Sequence, residues 1–194
     1  LILDGLKSFD DEFFSYQPAV FPANDCYALM EKLKKEHHFK QNTVNVFGIK
    51  NVPRKEALLG KVAGVRYHYA GNYMTTEAWG EELDKMCDML SKKYGVELNS
   101  CLANWYRDGH DCVGNHEDDE DDMKSDIVVT VSLGTARFFR IFEKPSGKKV
   151  LQINLRNGSV HVQKHGMQKV RKHGIPPQTT ITGERISLTF RCLK

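Results

Sequence analysis

The residues whose types and spacing could do chemistry begin with His116 and Asp118, one residue apart, with Asp119 and Glu120 directly behind them. If His116-Glu117-Asp118 is extended, alternation turns the imidazole and the carboxylate to the same side of the strand. A second histidine would complete two imidazoles and one carboxylate on one face of a metal ion. That set leaves coordination positions open and suits non-haem Fe(II) oxygen chemistry. Later in the chain stand His161, His165 and His173. His173 falls on a predicted strand just ahead of Gly174-Ile175-Pro176. His161 and His165 lie nearer a turn rich in Gln and Lys and are expected at the surface. The expected third ligand is His173.

The last predicted strand, Glu184 to Cys192, carries a second signal. Ile186, Leu188 and Phe190 share one of its faces, and Arg185, Ser187, Thr189 and Arg191 share the other. Six residues at ~3.3 Å each set the two arginine backbones roughly 20 Å apart. Inward-reaching side chains would narrow that gap to the length of a five-carbon dicarboxylate. Guanidinium groups grip carboxylates in a planar, bidentate fashion that lysine cannot copy. A β core, an H-x-D pair and two same-face arginines are all parts of a 2-oxoglutarate-dependent iron oxygenase.

The chain that must position these groups has 194 residues, enough for one domain with a substantial core. With 40% hydrophobic and 27% charged residues it reads as globular, not disordered. A net charge of +3 and a pI near 8.5 tolerate a nucleic-acid partner without arguing for one, so any phosphate-binding face must be local. Cys26, Cys87, Cys101, Cys112 and Cys192 include no C-x-x-C pair. Such a set makes a poor disulfide framework and a poor zinc site. It points to a reducing compartment, nuclear or cytoplasmic, and not to secretion. No run approaches the ~20 apolar residues of a membrane span, no secretory signal pattern opens the chain, and a monomer is expected. Because the chain starts at Leu1, it reads as a trimmed piece or one domain of something longer.

Residues 1–20, aromatic and acidic, are expected to form an arm packed on the body. Cys26, Leu29, Met30 and Leu33 recur at helical spacing, predicting a helix capped at Asn24 or Asp25 and running to about His37. A second helix is predicted over 76–94, with Trp79, Leu83, Met86 and Leu90 inward, Lys92 and Lys93 at its negative end, and Gly95 as its stop. Between the helices, 42–50 reads as a strand or hairpin tip in which Phe47 is either a core aromatic or an exposed wedge. Val52-Pro53-Arg54-Lys55 reads as an extended turn. Val65–Gly71 reads as a strand whose Tyr67 and Tyr69 share a face, suited to sheet packing or to stacking a base. From Asn99 the period changes to two, with strands predicted at 100–107, 127–133, 137–142, 150–155, 159–163, 169–175 and 184–192. Short strands at this spacing predict a sandwich or jelly roll with the helices outside it, an α+β fold in a single domain over 1–194.

Five blocks together resemble the AlkB family of Fe(II)/2-oxoglutarate-dependent nucleic-acid dioxygenases, most of all its duplex-DNA-repair branch, the eukaryotic homologue 2 type. They are VFGIKNVPRK at 46–55, YHYAG at 67–71, NWYRDGHDCVGNHEDDE at 104–120, HGIP at 173–176 and RISLTFR at 185–191. They stand in the family's order across residues 40–192. The resemblance implies a double-stranded β-helix (jelly-roll) core over 99–192, an arm and helix over 1–40, and a nucleotide-recognition lid over 42–71. It implies Fe(II) held by His116, Asp118 and His173. It also implies 2-oxoglutarate held by Arg185 and Arg191, with Asn104, Tyr106 and Ser187 beside it.

The implied activity is oxidative removal of N-methyl groups from bases such as 1-methyladenine and 3-methylcytosine. O2 would be consumed and succinate, CO2 and formaldehyde released, a direct-reversal DNA repair. Such bases are cationic and pair poorly, which favours extrusion from the duplex. The flipped base would sit between Tyr69 and His116 near Tyr67, with Glu120 and Asp119 complementing its charge. Phe47 would fill the gap left in the stack. Arg54, Lys55, Lys169, Arg171 and Lys172 would meet phosphates of methylated DNA, duplex or single-stranded, or of RNA.

The chain departs from that branch at three places. Ser187 stands where asparagine is usual, Glu117 adds negative charge between the ligands, and 157–172 does not follow the pattern. An RNA-directed or viral relative would keep the same core. Two other readings compete: an oxygenase acting on a protein or small molecule, and a nucleic-acid-binding module with an inactive site. The VFG, VPRK and tyrosine segments speak against the first, and the retained ligands and arginines against the second.

Overall fold

A computed structural model of the chain describes residues 1–45, 49–69 and 71–194, with the backbone alone for 44, 45, 49–51 and 69. In chain order come β1 (Ile2–Leu3), β2 (Phe9–Asp10), β3 (Phe14–Gln17), α1 (Ala23–Glu36), β4 (Thr43–Asn45), β5 (Ile49–Asn51) and β6 (Lys55–Gly60). Next are β7 (Arg66–Tyr69), β8 (Asn72–Thr75), β9 (Glu77–Ala78) and α2 (Glu81–Tyr94). The second half holds β10 (Ser100–Tyr106), β11 (Val113–His116), β12 (Val128–Gly134), β13 (Arg137–Glu143) and β14 (Lys149–Leu155). It closes with β15 (Val160–Gln163), α3 (Met167–Val170), β16 (Arg171–Ile175) and β17 (Arg185–Arg191).

Two sheets face each other as a double-stranded β-helix. The larger runs β2-β3-β15-β12-β17-β10-β6-β9 and the smaller β1-β14-β13-β16-β11. Alternation along the central strands sorts their residues between two layers. Val129, Val131 and Leu133 of β12, with Ile186, Leu188 and Phe190 of β17, pack against Cys26, Met30 and Leu33 of α1 and Leu83, Met86 and Leu90 of α2. Each such side chain, fully buried, contributes about 1.5–3 kcal/mol. A second apolar cluster fills the space between the sheets, joining Phe14, Tyr16 and Tyr106 to Phe139, Ile141, Leu151, Ile153 and Ile175. The alternate residues of β10, β12 and β17 face that inter-sheet space, and there the polar groups gather.

The structure corrects several expectations. The arm is part of the β core, not a segment laid over it: β3 pairs with β15 and β1 runs parallel to β14. The segment expected wholly as a lid contains β6, which pairs with β10 inside the larger sheet. β6 is buried on both faces, Ala57 and Leu59 toward the helices and Leu58 toward Tyr67 and Leu102, so it shows no polar alternation to read. α1 has Pro22, not Asn24 or Asp25, at its N-cap. α2 starts at Glu81 behind Gly80, and Trp79 packs edge-on to Phe190 from the connecting segment. Gly95 does end α2, in the left-handed conformation at φ 63°. The short helix α3 occupies part of the strand expected over 169–175.

Candidate active site

β11 and β16 pair antiparallel with His116 directly opposite His173, across a register irregularity that follows Val113. The two rings lie 4.4 Å apart between centroids. Asp118 follows two residues beyond His116, on chain that has left the sheet. Its Oδ1 is 3.6 Å from His116 Nε2 and its Oδ2 is 3.4 Å from His173 Nε2. One ligand atom from each of the three lies within 4.8 Å of the others, the single such group among the described residues. Metal bonds of about 2.1 Å at right angles separate adjacent ligand atoms by about 3 Å. A slight inward closure brings the three onto one ion, so the residues fit Fe(II).

The tautomer of His116 is set by its other nitrogen. Nδ1 lies 2.8 Å from the Gly114 carbonyl, which can only accept, so Nδ1 carries the proton and Nε2 offers its lone pair. Asp118 is 1% exposed. Burial opposes its charge, but Arg191, His116 and His173 outweigh burial and hold its carboxyl well below the usual range. His173 is pushed down by burial and by neighbouring His116, against the pull of Asp118. His116, also resisted by burial, is raised by the neighbouring Asp118 carboxylate. A permanently charged carboxylate with a neutral buried imidazole beside it is a ligand set ready for a dication.

Arg185, Ser187, Thr189 and Arg191 all line one inter-sheet cavity, together with Asn104 and Tyr106 of β10 and the three metal-ligand candidates. Ser187 sits between Asn104 and Ser132 on the flanking strands, and Tyr106 is opposite Arg185. Arg185 is 1% exposed and donates from Nη2 to Ser132 Oγ at 3.1 Å. Among the described residues its Nε and Nη1 have no hydrogen-bond partner. Burial pushes its pKa down to about 10, with Tyr106 opposing the shift. A buried guanidinium with an unfilled donor fork is a receptor for a carboxylate. Arg191 instead donates from Nη2 to Asp118 Oδ1 at 2.7 Å and lies over the Tyr67 ring at 5.5 Å.

Several expected substrate contacts are corrected. Arg54 is 4% exposed and donates to Asn104 Oδ1 (2.8 Å), Glu56 Oε1 (2.6 Å) and the Cys112 carbonyl (3.2 Å), so it braces the cavity wall and presents nothing to a phosphate. Tyr67 is fully buried among Leu58, Leu102 and Leu193, and forms no open stacking face. Burial pushes its phenol up, and Arg191 and Glu120 act on it from either side. Glu120, half-buried, has its carboxyl raised by burial, with Arg191 pulling it back. Asp119 is exposed. Lys55 rests its ammonium 4.9 Å over the Trp105 ring. Arg171 is engaged by Asp11 at 2.8 Å, whereas Lys169 and Lys172 are exposed. Phe47 lies outside the described residues, as does the side chain of Tyr69.

Sequence reasoning placed His161 at the surface, but it is 3% exposed and lines the cavity, its ring 4.7 Å from that of Phe139. The available signal was the alternation of Val160-His161-Val162-Gln163, which sends the valines to the helix layer and His161 and Gln163 inward. His165, by contrast, is at the surface as expected.

The chain matches the 2OG-Fe(II) oxygenase superfamily over residues 13–191. It is 31% identical over 175 residues to human DNA oxidative demethylase ALKBH2, covering 84% of this chain and 67% of the human protein. For the bovine ALKBH2 the figures are 30% identity, 84% of this chain and 63% of the relative. Bovine alpha-ketoglutarate-dependent dioxygenase alkB homolog 3 is 26% identical, covering 90% of this chain and 64% of that protein. The chain thus spans about two thirds of the length of these curated relatives. The solved structure of OsALKBH1 superposes with a TM-score of 0.70 at 16% identity, covering 95% of this chain and 98% of that one, a likeness of fold. With its iron-type ligand triad and arginine-ended cavity, the chain belongs to the 2OG-Fe(II) oxygenase superfamily and, within it, to the AlkB family.

Proposed function

We propose that this chain is an oxidative demethylase of N-methylated nucleic-acid bases that uses Fe(II), 2-oxoglutarate and O2. The observation that carries the reading is the buried Arg185 guanidinium, two of whose nitrogens lack a partner among the described residues, in the cavity that also holds His116, Asp118 and His173. An unmatched buried cation is costly to keep. A carboxylate-bearing cosubstrate beside a metal site accounts for that cost, and the likeness to proteins named DNA oxidative demethylases supports the choice of substrate.

His116, Asp118 and His173 would hold Fe(II), the His116 Nδ1–H staying on the Gly114 carbonyl. Bound there with 2-oxoglutarate and O2, the metal supplies the oxidation of an N-methyl carbon, coupled to decarboxylation of the cosubstrate to succinate and followed by loss of formaldehyde. Arg185 would take one carboxylate through its free fork, with Tyr106 beside it. Ser187 and Asn104 would line the length of the cosubstrate, and Arg191 would brace Asp118 at the far end of the same face. The half-buried His116 ring marks the rim of the cavity, where a flipped base would lie against it. Glu120 and Asp119 would complement the charge of a base methylated on a ring nitrogen. Lys169 and Lys172 would meet the backbone.

The test is turnover on oligonucleotides carrying 1-methyladenine or 3-methylcytosine, single- and double-stranded, DNA and RNA. Formaldehyde and succinate in equal amounts, dependent on Fe(II), are expected. Fe(II)-dependent succinate formation with every oligonucleotide left intact would overturn the nucleic-acid reading.

A further inference from the structure

Asp118 presents a structural problem for any metal site. Its two histidine companions are strapped to strands, but it sits on chain without regular structure between β11 and β12. Three buried side chains from other elements reach it. Arg191 of β17 donates to Oδ1 at 2.7 Å. Gln163 of β15 donates from Nε2 to Oδ2 at 3.2 Å. Gln168 of α3 accepts from the Asp118 backbone N–H at 3.0 Å, and its own Nε2 donates to Gln163 Oε1 at 2.9 Å.

The last three bonds close a ring: Asp118 N–H to Gln168, Gln168 to Gln163, Gln163 back to the Asp118 carboxylate. Its chemistry fixes both amide orientations. A backbone N–H can only donate, so Gln168 must turn its oxygen to it and is left with its NH2 for Gln163. A carboxylate can only accept, so Gln163 must offer its NH2 there and its oxygen to Gln168. Each amide has one arrangement that satisfies both neighbours. Gln163 and Gln168 are both buried, where an unmatched amide is costly, so the ring is held by its own completeness.

We infer that Gln163 and Gln168 are positioning residues for the metal, tying the ligand loop to the larger sheet and presenting Asp118 in the rotamer that faces His116 and His173. This rests on the reading of His116, Asp118 and His173 as the iron site. The neutrality of the two amides matters. Arg191 already supplies one positive charge at Oδ1, and a second cation at Oδ2 would compete with the dication for the carboxylate. An amide holds the oxygen in place and leaves its charge to the metal. Outer-sphere hydrogen bonds of this kind are worth about 10- to 100-fold in metal affinity.

The experiment titrates metal-free protein with Fe(II) under anaerobic conditions, and separately with Mn(II), for wild type, Gln163→Met, Gln168→Met and the double variant. Metal-free melting temperature and circular dichroism are measured alongside. Each single variant is expected to bind both metals at least 10-fold more weakly while remaining folded. The double variant is expected to be hardly weaker than either single, because breaking one link opens the whole ring. Folded Gln163→Met and Gln168→Met proteins that bind Fe(II) within two-fold of wild type would overturn the inference. If Gln163→Met fails to fold, Gln168→Met, whose side chain does not touch the carboxylate, decides alone. If wild type itself binds no Fe(II), the failure belongs to the metal-site reading and not to the ring.

Discussion

His116 and His173 stand directly opposite one another across the β11–β16 pair, so sheet register delivers two of the three metal-ligand candidates. Gly174, next to His173, lies against the other strand so closely that a methyl group there would meet Asn115 Oδ1 at 2.8 Å and the Val113 carbonyl at 2.9 Å. Gly174→Ala is expected to push β11 away from β16 and part the two imidazoles. Fe(II) affinity should fall more than 10-fold, with a stability loss of about 1–3 kcal/mol. Metal titration and urea unfolding of the same preparation check both. Unchanged Fe(II) affinity would mean that register does not set the ligand spacing.

Asp118 and His116 should part company in stability although both are needed for iron. Asp118 is buried and holds Arg191 and Gln163, so Asp118→Ala strips a buried guanidinium of its carboxylate. That is expected to cost about 3–5 kcal/mol in metal-free protein. His116 lies half-buried at the rim, and His116→Ala is expected to cost no more than about 1 kcal/mol. Both variants should lose turnover. Equal unfolding midpoints for the two would show that the Arg191–Asp118 pair is not what burial makes it.

Arg185 should trade stability for cosubstrate binding. Arg185→Met removes a buried cation that lacks a carboxylate among the described residues, so metal-free stability is expected to hold or rise. Loss of two charge-assisted hydrogen bonds, roughly 3 kcal/mol or more, should weaken 2-oxoglutarate binding over 100-fold. Arg185→Lys should rescue little, because an ammonium cannot reproduce the planar fork. Calorimetric titration with 2-oxoglutarate in the presence of Mn(II) measures this directly. Tight binding by the methionine variant would place the carboxylate elsewhere.

Buried His161 makes an acid-stability prediction. Burial, with Arg185 and His173 adding to it, pushes its pKa down to about 3. An unfolded chain titrates its histidines near pH ~6.5. Between these values the unfolded chain holds a proton that the folded one does not, so stability falls as the pH drops through the window. His173, also lowered, acts in the same direction, and His116, raised, in the opposite one. Asp118 contributes a further loss only below its ordinary pKa of about 3.9. His161→Gln should therefore flatten the fall between pH ~6.5 and ~4.5, by about 3 kcal/mol at the lower end. Parallel stability curves for the two proteins would mean that His161 takes up its proton without unfolding.

What the sequence determined by itself is what short-range periodicity carries. The H-x-D pair and the split of β17 into Ile186, Leu188 and Phe190 against Arg185, Ser187, Thr189 and Arg191 both follow from a period of two. That period needs no knowledge of the partner strand; the structure keeps it along β17, whereas β11 ends at His116 and Asp118 reaches the same cavity from irregular chain. The apolar stripes of α1 and α2 were legible for the same reason. Their exact starts were not, because Pro22 and Gly80 cap without a side-chain hydrogen bond.

What only the tertiary structure decided is which layer covers each face. Arg54 reads as an exposed cation until β6 enters the larger sheet and turns it toward Asn104 and Glu56. His161 reads as a surface residue until the smaller sheet closes over β15. The amide ring joins residues 118, 163 and 168, drawn from a loop, a strand and a short helix. No spacing along the chain encodes that meeting. It exists because burial makes an unmatched polar group expensive, and the folded core leaves each of these groups one set of partners within reach.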